Sequence, residues 1–381
     1  MSVLETRDQL WSPVLETLSA QALDCIQTGL SAVVDRFCGA GAHVVLGARQ
    51  EFVPRIEAGR PPTLEPPVDK RLAEARELAG LHVTDRRDGL DGPALRRFAD
   101  EAGPLYVLSD TFTMSWTPYR GQRHMDHSYL LIGSGDRYAV VDPYHNDTQW
   151  GPARPGVWRL SSADLDAAVG TGASAMVISA DGLPDIDPTA ILADNARNLA
   201  AALDIAGYVA HVRSGLDSVA AIESLVLDIW ILGRSRLLHA AWLDTVPGIP
   251  ADEVRRQADE WLRLAAQSYL GLRRAIRGEP VPPSILDRFE ELLAEDVEVA
   301  GRLAVRAAVV DAVRTVMRVD DVSVTFRAMP DFSSFRLVDI IERVESRLDL
   351  TLDAEDLTLE SLHDTDSLTH LFVTAAGRVR Q

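Results

Sequence analysis

The sequence predicts an α+β protein in which strands and helices mix over the first 182 residues and helices alone follow. Apolar, strand-forming residues fill 127–132 and 138–141, on either side of a glycine-containing turn. From residue 189 onward, apolar residues recur three and four positions apart, in long segments separated by proline and glycine. The break at 182–188 marks the change from one pattern to the other.

Composition narrows the class of protein. The 381 residues carry a formal net charge of −19, which argues against nucleic acid or an anionic membrane as a partner. The amino-terminal sequence lacks the basic and then apolar run of a signal peptide, and no apolar stretch reaches membrane-spanning length. Two cysteines are too few for a disulfide framework, so we expect a reducing, cytoplasmic location.

Helical segments are predicted from apolar spacing and from their end signals. An amphipathic helix is also expected to begin at the serines 333–334. The remaining predicted helices cover residues 25–37, 69–78, 189–213, 216–243, 251–277, 283–300 and 301–319.

Cys25 is the candidate nucleophile. It opens the helix predicted from Cys25 to Phe37, and Asp24 is suited to cap that helix. Backbone N–H groups and the dipole at a helix start stabilise a thiolate. The alternative is a small buried hydrophobic side chain, the usual role of a lone cysteine in a helix. Cys38 lies near the far end of the same helix, so it is interpreted as structural and not as a disulfide partner.

A predicted hairpin brings a histidine and an aspartate together. A turn centred on Ser134 and Gly135 places His127 directly opposite Asp142. Opposed residues of an antiparallel pair share a face, with Cβ atoms about 4.5–5.5 Å apart. A carboxylate at that distance fixes the tautomer of the imidazole, as the third member of a catalytic triad does. The alternative is a half-buried hairpin with a surface histidine and a strand-ending Asp-Pro pair.

Cysteine, histidine and aspartate in this order predict acyl transfer through a thioester on Cys25, with His127 as base and Asp142 as its orienting partner. The backbone N–H of Cys25 or Ile26 is the expected half of an oxyanion hole, and Gln21 is the candidate side-chain donor.

A metal site is the competing interpretation of the histidines in this region. The composition of the segment would allow one, but the spacing of its residues does not match known zinc motifs, so no metal is expected. His124 and His145 are interpreted as solvated loop residues, with contact to substrate as the alternative. The metal interpretation would use His124, Asp126, His127 and His145.

Residues 20–170 resemble the papain-like acyltransferase family of butirosin biosynthesis, which is related in fold to the bacteriocin-leader peptidases. The resemblance implies transfer of an acyl group from a carrier-protein phosphopantetheine thioester onto an amine, with Cys25, His127 and Asp142 at the triad positions. The chain departs from the family before the nucleophile, where Leu23 and Asp24 replace a glycine and a histidine. Beyond the triad, the matching segments are 103–110 as a central strand, the turn at 118–119, 141–143, and 160–165 at the start of a helix.

Residues 301–381 resemble the second half of an acyl or peptidyl carrier protein, helix by helix. The resemblance implies a 4′-phosphopantetheine group on Ser334, at a helix start where backbone N–H groups favour the anion. Ser333 stands where the family usually has aspartate. The alternative is a degenerate carrier-like module that serves only for docking.

The predicted organisation is therefore a papain-like catalytic domain at 1–182, a helical domain at 183–300 and a carrier-like bundle at 301–381. The arginines of the middle helix could bind a phosphopantetheine phosphate or an acidic substrate. We favour the alternative, in which they snorkel or pair with acids such as Glu223 and Asp228. These side chains lie among apolar residues and comprise Trp230, Arg234, Arg236 and His239.

The predicted function is acyl or aminoacyl transfer in specialised-metabolite biosynthesis. The expected partners are an acyl carrier protein, a phosphopantetheinyl transferase and a small amine acceptor. Two alternatives stay open: a carrier-linked thioesterase or hydrolase that uses the same triad, and a non-catalytic assembly module.

Overall fold

A computed structural model describes residues 11–57, 59–134, 137–170, 172–201, 203–216 and 218–379. It has the expected α+β architecture, with an antiparallel sheet and a helical carboxyl-terminal region. The chain forms two compact units. The first comprises Met1–Gly47 and Pro66–Asp185, and the second comprises Ala48–Glu65 and Ile186–Gln381.

The first unit combines helices with all the strands of the described chain. Its helices are α1 (11–17), α2 (Gln27–Cys38), α3 (Val68–Ala79), α4 (Gly92–Ala102) and α5 (Ser162–Val169). Its strands are β1 (Leu81–Leu90), β2 (Leu105–Asp110), β3 (Asp126–Ser134), β4 (Arg137–Asp142), β5 (Asn146–Thr148), β6 (Gly151–Ala153), β7 (Gly156–Ser161) and β8 (Ala173–Ala180).

Six of these strands form one antiparallel sheet in the order β1-β8-β2-β3-β4-β7, and β5 pairs with β6. Strand β2 is central, as the resemblance implies. The core on one side of the sheet contains Phe98 of α4, Leu165 of α5 and Tyr129 of β3. The two helices of this core begin at capping residues. Asp91 caps α4, and Ser161 forms a capping box with Asp164 at the start of α5.

Helix α2 packs against the sheet through a glycine. A Cβ atom on Gly29 would lie 2.8 Å from the Tyr106 ring and 3.0 Å from Ser128 Oγ, so only glycine allows this close approach. Glycine within a helix costs about 1 kcal/mol relative to alanine. The close contact of Gly29 with Tyr106 and Ser128 offsets that cost, and it places the start of α2 and Cys25 against β3.

The β3–β4 hairpin differs in register from the sequence prediction. A turn centred on Ser134 and Gly135 would pair Val141 with Ser128, but the structure pairs Val141 with Leu130. The last observed pair joins Ser134 to Arg137. The pairing is therefore offset by two residues from the predicted one, and the predicted turn residue Gly135 falls outside the described residues.

The corrected register still places the two candidate catalytic side chains together. Side chains alternate between the faces of a strand, so a shift of two residues in the pairing leaves His127 and Asp142 on one face. They are diagonal neighbours and not directly opposed residues. Their side chains nevertheless make the predicted contact, with His127 Nε2 2.8 Å from Asp142 Oδ2.

The second unit is helical, as predicted, but two helix boundaries differ. The predicted helix 189–213 is two helices in the structure, and no proline or glycine between them signals the break. The described helices are α6 (Pro188–Ala200), α7 (Leu203–Gly215), α8 (Val219–Leu243), α9 (Asp252–Ile276), α10 (Ser284–Met317), α11 (Ser334–Leu348) and α12 (Thr365–Val379).

Helix α10 runs without a break through residue 300, where the sequence predicts a domain boundary. The predicted helices 283–300 and 301–319 are therefore a single helix. Gly301 does not interrupt it, because one glycine costs only about 1 kcal/mol in a helix. The buried side chains of Ala300 and Leu303, on either side of that glycine, outweigh this cost through packing.

The segment 48–65 belongs to the second unit and is held there by buried polar contacts. Asp228 of α8 accepts hydrogen bonds from Leu64 N at 2.8 Å and Thr63 Oγ1 at 3.0 Å. Its other carboxylate oxygen accepts from Tyr208 Oη at 2.5 Å. Burial raises the pKa of Asp228 to about 7, although these hydrogen bonds lower it.

The described part of the chain contains no helix that is both long enough and apolar enough to cross a bilayer.

Candidate active site

Cys25 lies two residues before α2 and not in its first turn as predicted. The carboxylate of Asp24 explains the difference, because its Oδ1 accepts from Ile26 N at 2.9 Å and Gln27 N at 2.7 Å. These are the N–H groups that a thiolate at a helix start would use. Asp24 therefore organises the nucleophile turn as predicted for a cap, but it occupies the donors that were expected to stabilise the thiolate.

Arg71 of α3 balances the charge of Asp24. Its Nε and Nη2 donate to Asp24 Oδ2 at 3.1 and 2.6 Å, and its Nη1 donates to Glu74 at 2.9 Å. Burial lowers the pKa of the Arg71 guanidinium, but the charges of Asp24 and Glu74 outweigh burial and raise it. The cation is thus retained beside the nucleophile turn, where an unpaired buried carboxylate would be costly.

Cys25, the candidate nucleophile, is bound to β3 on both sides of His127. Ser128, the residue after the histidine, donates to the Cys25 carbonyl oxygen from its N–H at 3.2 Å and from Oγ at 2.6 Å. Cys25 Sγ in turn donates to the carbonyl oxygen of Asp126, the residue before the histidine, at 3.5 Å. Thiol and imidazole are therefore fixed to one short stretch of one strand.

His127 is fully buried, and one of its ring nitrogens has no partner in the residues that the structure covers. Its Nε2 bonds to Asp142 Oδ2, and because an ionised carboxylate only accepts, Nε2 carries the proton. The lone pair then resides on Nδ1, a buried atom with no hydrogen-bond partner among the described residues. A buried polar atom without a partner is costly and rare, so it indicates a functional constraint.

Asp142 is held by two further donors. Trp116 Nε1 donates to Oδ2 at 3.0 Å, and the backbone N–H of Tyr144 donates to Oδ1 at 3.0 Å. The Tyr144 ring also packs edge-on against His127, with ring centroids 5.1 Å apart. Carboxylate and imidazole are therefore both fixed in orientation, as general acid–base chemistry requires.

The structure bears on two of the predicted oxyanion-hole donors. The Ile26 N–H donates to the Asp24 carboxylate, so it is not free to bind an oxyanion. Gln21 is exposed, within a short 3₁₀ turn formed by residues 20–22. The Cys25 N–H stays a prediction.

The histidines flanking the site differ from His127. His124 is 73% exposed, lies 2.5 Å from Asp110 through its Nδ1 and stacks on Phe112. His145 is half-buried. Among the described residues, no group of three or more histidine, cysteine, aspartate or glutamate side chains is placed to hold a metal ion.

The middle-helix arginines of the second unit make structural contacts. Arg236 is buried and pairs with Asp296, through Nε at 3.0 Å and Nη2 at 2.5 Å, and not with the predicted Glu223 or Asp228. Arg234 packs over the Trp230 ring at 4.1 Å. An arginine of this helix therefore pairs with an acid, as the sequence predicts, but the acid is Asp296 of α10.

Ser334 is exposed and is the first residue of α11, so the predicted helix start is confirmed. Ser333 caps the helix by accepting the Arg336 N–H at 3.3 Å. Two apolar side chains beside this serine are exposed, Phe335 at 84% and Val338 at 49%.

Sequence reasoning missed two residues of the site. Arg71 lies on a helix that was predicted, but nothing in its neighbourhood along the chain indicates a contact with Asp24. Trp116 offers a weak signal, since it is a large aromatic residue in a polar loop shortly before the histidine.

Comparison with known proteins gives no assignment, because no protein-family model matches the chain and no curated protein is significantly similar to it.

Proposed function

We propose that the protein is an acyl or aminoacyl transferase of specialised metabolism. The acyl group would move from a phosphopantetheine thioester through Cys25 to a small amine. The observation that carries this proposal is the buried His127 Nδ1. Within the described part of the chain this proton acceptor has no partner, and it lies on the strand to which the Cys25 backbone and thiol are bound.

The chemistry follows from that arrangement. His127 Nδ1 accepts the thiol proton of Cys25, and the thiolate attacks the carbonyl carbon of the donor thioester. The new bond joins Cys25 Sγ to the acyl carbon, and the bond to the phosphopantetheine sulfur breaks as His127 returns the proton to that sulfur. The amine then attacks the acyl-enzyme, its proton passes through His127 to Cys25 Sγ, and an amide leaves.

The carboxyl-terminal helices support a carrier role for this part of the chain. Helix α11 begins at the exposed Ser334, a short 3₁₀ turn follows at residues 354–356, and α12 completes the segment. An exposed hydroxyl at a helix start suits a phosphodiester, because unpaired N–H groups and the helix dipole favour the anion. In this proposal 4′-phosphopantetheine is attached to Ser334, or the arm belongs to a separate carrier protein.

The first experiment traps the acyl-enzyme. We expect a pantetheine thioester to acylate the protein and peptide mapping to place the acyl group on Cys25. The adduct should be absent from Cys25→Ala and retained in Cys38→Ala, the matched control at the last residue of α2. Equal labelling of both cysteines, or no adduct, would contradict the proposal.

The fate of the adduct separates transfer from hydrolysis. Mass spectrometry of the products with and without a primary amine would show an amide for a transferase and only the free acid for a hydrolase. The outcome depends on whether the acyl-enzyme is shielded from water.

A second experiment tests the carrier segment. After incubation with coenzyme A and a promiscuous phosphopantetheinyl transferase, intact mass should rise by one phosphopantetheine. Ser334→Ala should abolish the increase, whereas Ser333→Ala, which removes only the helix cap, should retain it. No increase in the parent protein would mean that the arm is supplied by a separate carrier.

A further inference from the structure

Trp116 contacts the carboxylate that orients His127. Its indole N–H and the His127 Nε2–H donate to the same oxygen, Asp142 Oδ2, at 3.0 and 2.8 Å. An indole nitrogen is a donor only. The contact therefore uses Oδ2 as an acceptor, so that this oxygen receives two donors at once.

The three donors around Asp142 point at it from three elements. His127 lies on β3, Trp116 lies in the loop that follows β2, and Tyr144 N–H lies just beyond β4 and binds the second oxygen. The carboxylate is only 5% exposed. It cannot rotate towards another acceptor geometry without breaking at least one of these bonds.

Trp116 is itself fixed by aromatic packing. Its ring meets Tyr129 edge-on at 5.3 Å between centroids and lies tilted against Trp158 at 6.4 Å. The indole is anchored to the core beneath the sheet, so its N–H direction does not depend on Asp142 alone.

We propose that Trp116 is a positioning residue, which holds the Asp142 carboxylate aimed at His127 so that Nδ1 keeps its lone pair and serves as the base for Cys25. This inference rests on the proposed function, because it assigns a role in activating Cys25. In chemical terms, the inference concerns which nitrogen of the His127 imidazole carries the proton. With Oδ2 fixed as an acceptor, the imidazole proton stays on Nε2, and Nδ1 remains the basic nitrogen.

The test measures the reactivity of Cys25 without any acyl substrate. Wild type and Trp116→Phe are alkylated with iodoacetamide from pH about 5 to about 9, a range that spans imidazole titration. Peptide-level mass spectrometry gives separate rates for Cys25 and Cys38. Cys38 is an internal reference, because burial and the charge of Asp35 raise the pKa of its thiol.

In wild type, Cys25 should react faster than Cys38 at neutral pH. In Trp116→Phe the Cys25 rate at neutral pH should fall about tenfold, the effect expected for losing a hydrogen bond to a charged group. The pH of half-maximal reactivity should also move upward, a change that packing alone does not produce. The Cys38 rate should be the same in both proteins.

Two variants separate the N–H from the ring. Trp158→Phe removes a neighbouring indole of the same cluster that makes no bond to Asp142 in the described structure, and it should keep the wild-type profile. Replacement of Trp116 by 3-benzothienylalanine keeps the shape and exchanges the N–H for sulfur, so it should behave like Trp116→Phe. It also serves if the phenylalanine variant fails to fold.

The outcomes distinguish the two proposals. A wild-type Cys25 no more reactive than Cys38 would overturn the proposed function and this inference together. An activated wild-type Cys25 with an unchanged profile in both Trp116 variants would overturn the inference alone. Equal losses in Trp158→Phe and Trp116→Phe would also overturn it, because the effect would then come from packing.

Discussion

The two units each bury an aspartate that accepts a tryptophan N–H, yet the arrangements differ in what remains unsatisfied. In the second unit, Asp296 accepts from Arg236, Gln257 and Trp261, and its cationic partner cannot lose a proton. In the first unit the partner of Asp142 is His127, whose second nitrogen accepts no hydrogen bond from any residue that the structure describes. A buried charged pair is therefore not in itself a sign of chemistry. The distinguishing feature is an atom that can exchange a proton and has no partner in the fold.

The largest expected effect is on the rate of Cys25 acylation, and it follows from replacing His127 in the first unit. His127→Ala should slow acylation of Cys25 by a pantetheine thioester about a thousandfold, within the range measured for a general base. The matched control is His124→Ala, three residues away, exposed and bound to Asp110. Its rate should stay within about twofold of wild type, as for other surface substitutions. Equal losses in both variants would mean that burial of His127 has no catalytic significance.

The next effect concerns the second unit. Arg236→Met leaves the buried Asp296 carboxylate without its cation and should lower the free energy of unfolding by about 3–5 kcal/mol. Acylation of Cys25 in the folded variant should be unchanged. The control, Arg302→Met, removes a half-exposed partner of Glu253 and should cost less than about 1 kcal/mol. Denaturant unfolding measures the free energy of unfolding of both variants. A large loss of Cys25 acylation in Arg236→Met would contradict a purely structural role for the Arg236–Asp296 pair.

The last expected effect is a dependence of folding stability on pH, caused by Asp228. Folding raises the pKa of Asp228 from its ordinary 3.8 to about 7 because the side chain is buried. The folded protein then holds more protons than the unfolded chain between these values. The contribution of Asp228 to stability is therefore greatest below pH about 4, falls as pH rises and levels off above about 7.

Asp228→Asn should remove this contribution. The difference in melting temperature between wild type and variant should change across that window, by an amount equivalent to at most about 4 kcal/mol, because one pKa unit corresponds to about 1.4 kcal/mol. Taking the difference cancels groups that titrate in both proteins, such as Asp35. Burial raises the pKa of Asp35, but its bonds to His43 and Gly41 outweigh burial and lower it. A constant difference between pH about 4 and about 8 would contradict the assignment.

Much of the fold was readable from the sequence because its signals are local. The glycine after α3, the serines at the start of α11 and the apolar, strand-forming runs of β3 and β4 all act within a few residues. The His127–Asp142 contact survived a register error because only the parity of the pairing decides which face a side chain occupies.

What could not be predicted depends on contacts between distant segments. Arg71 reaches Asp24 from another helix, and Trp116 reaches Asp142 across the sheet. Likewise, Arg236 binds an aspartate 60 positions away and not an acid on its own helix. Helix α10 continues through Gly301 because packing outweighs a local break signal.

The bonds between Cys25 and Ser128 have a consequence for synthesis of the chain. Ser128 follows Cys25 by 103 positions, and at about 5–20 residues per second the ribosome needs about 5–20 s to reach it. Throughout that interval the nascent chain carries Cys25 without the strand that positions its base. If Cys25 is the nucleophile we propose, its activation waits until β3 has been made, so the growing polypeptide exposes no primed thiol to the metabolites and proteins around it before then.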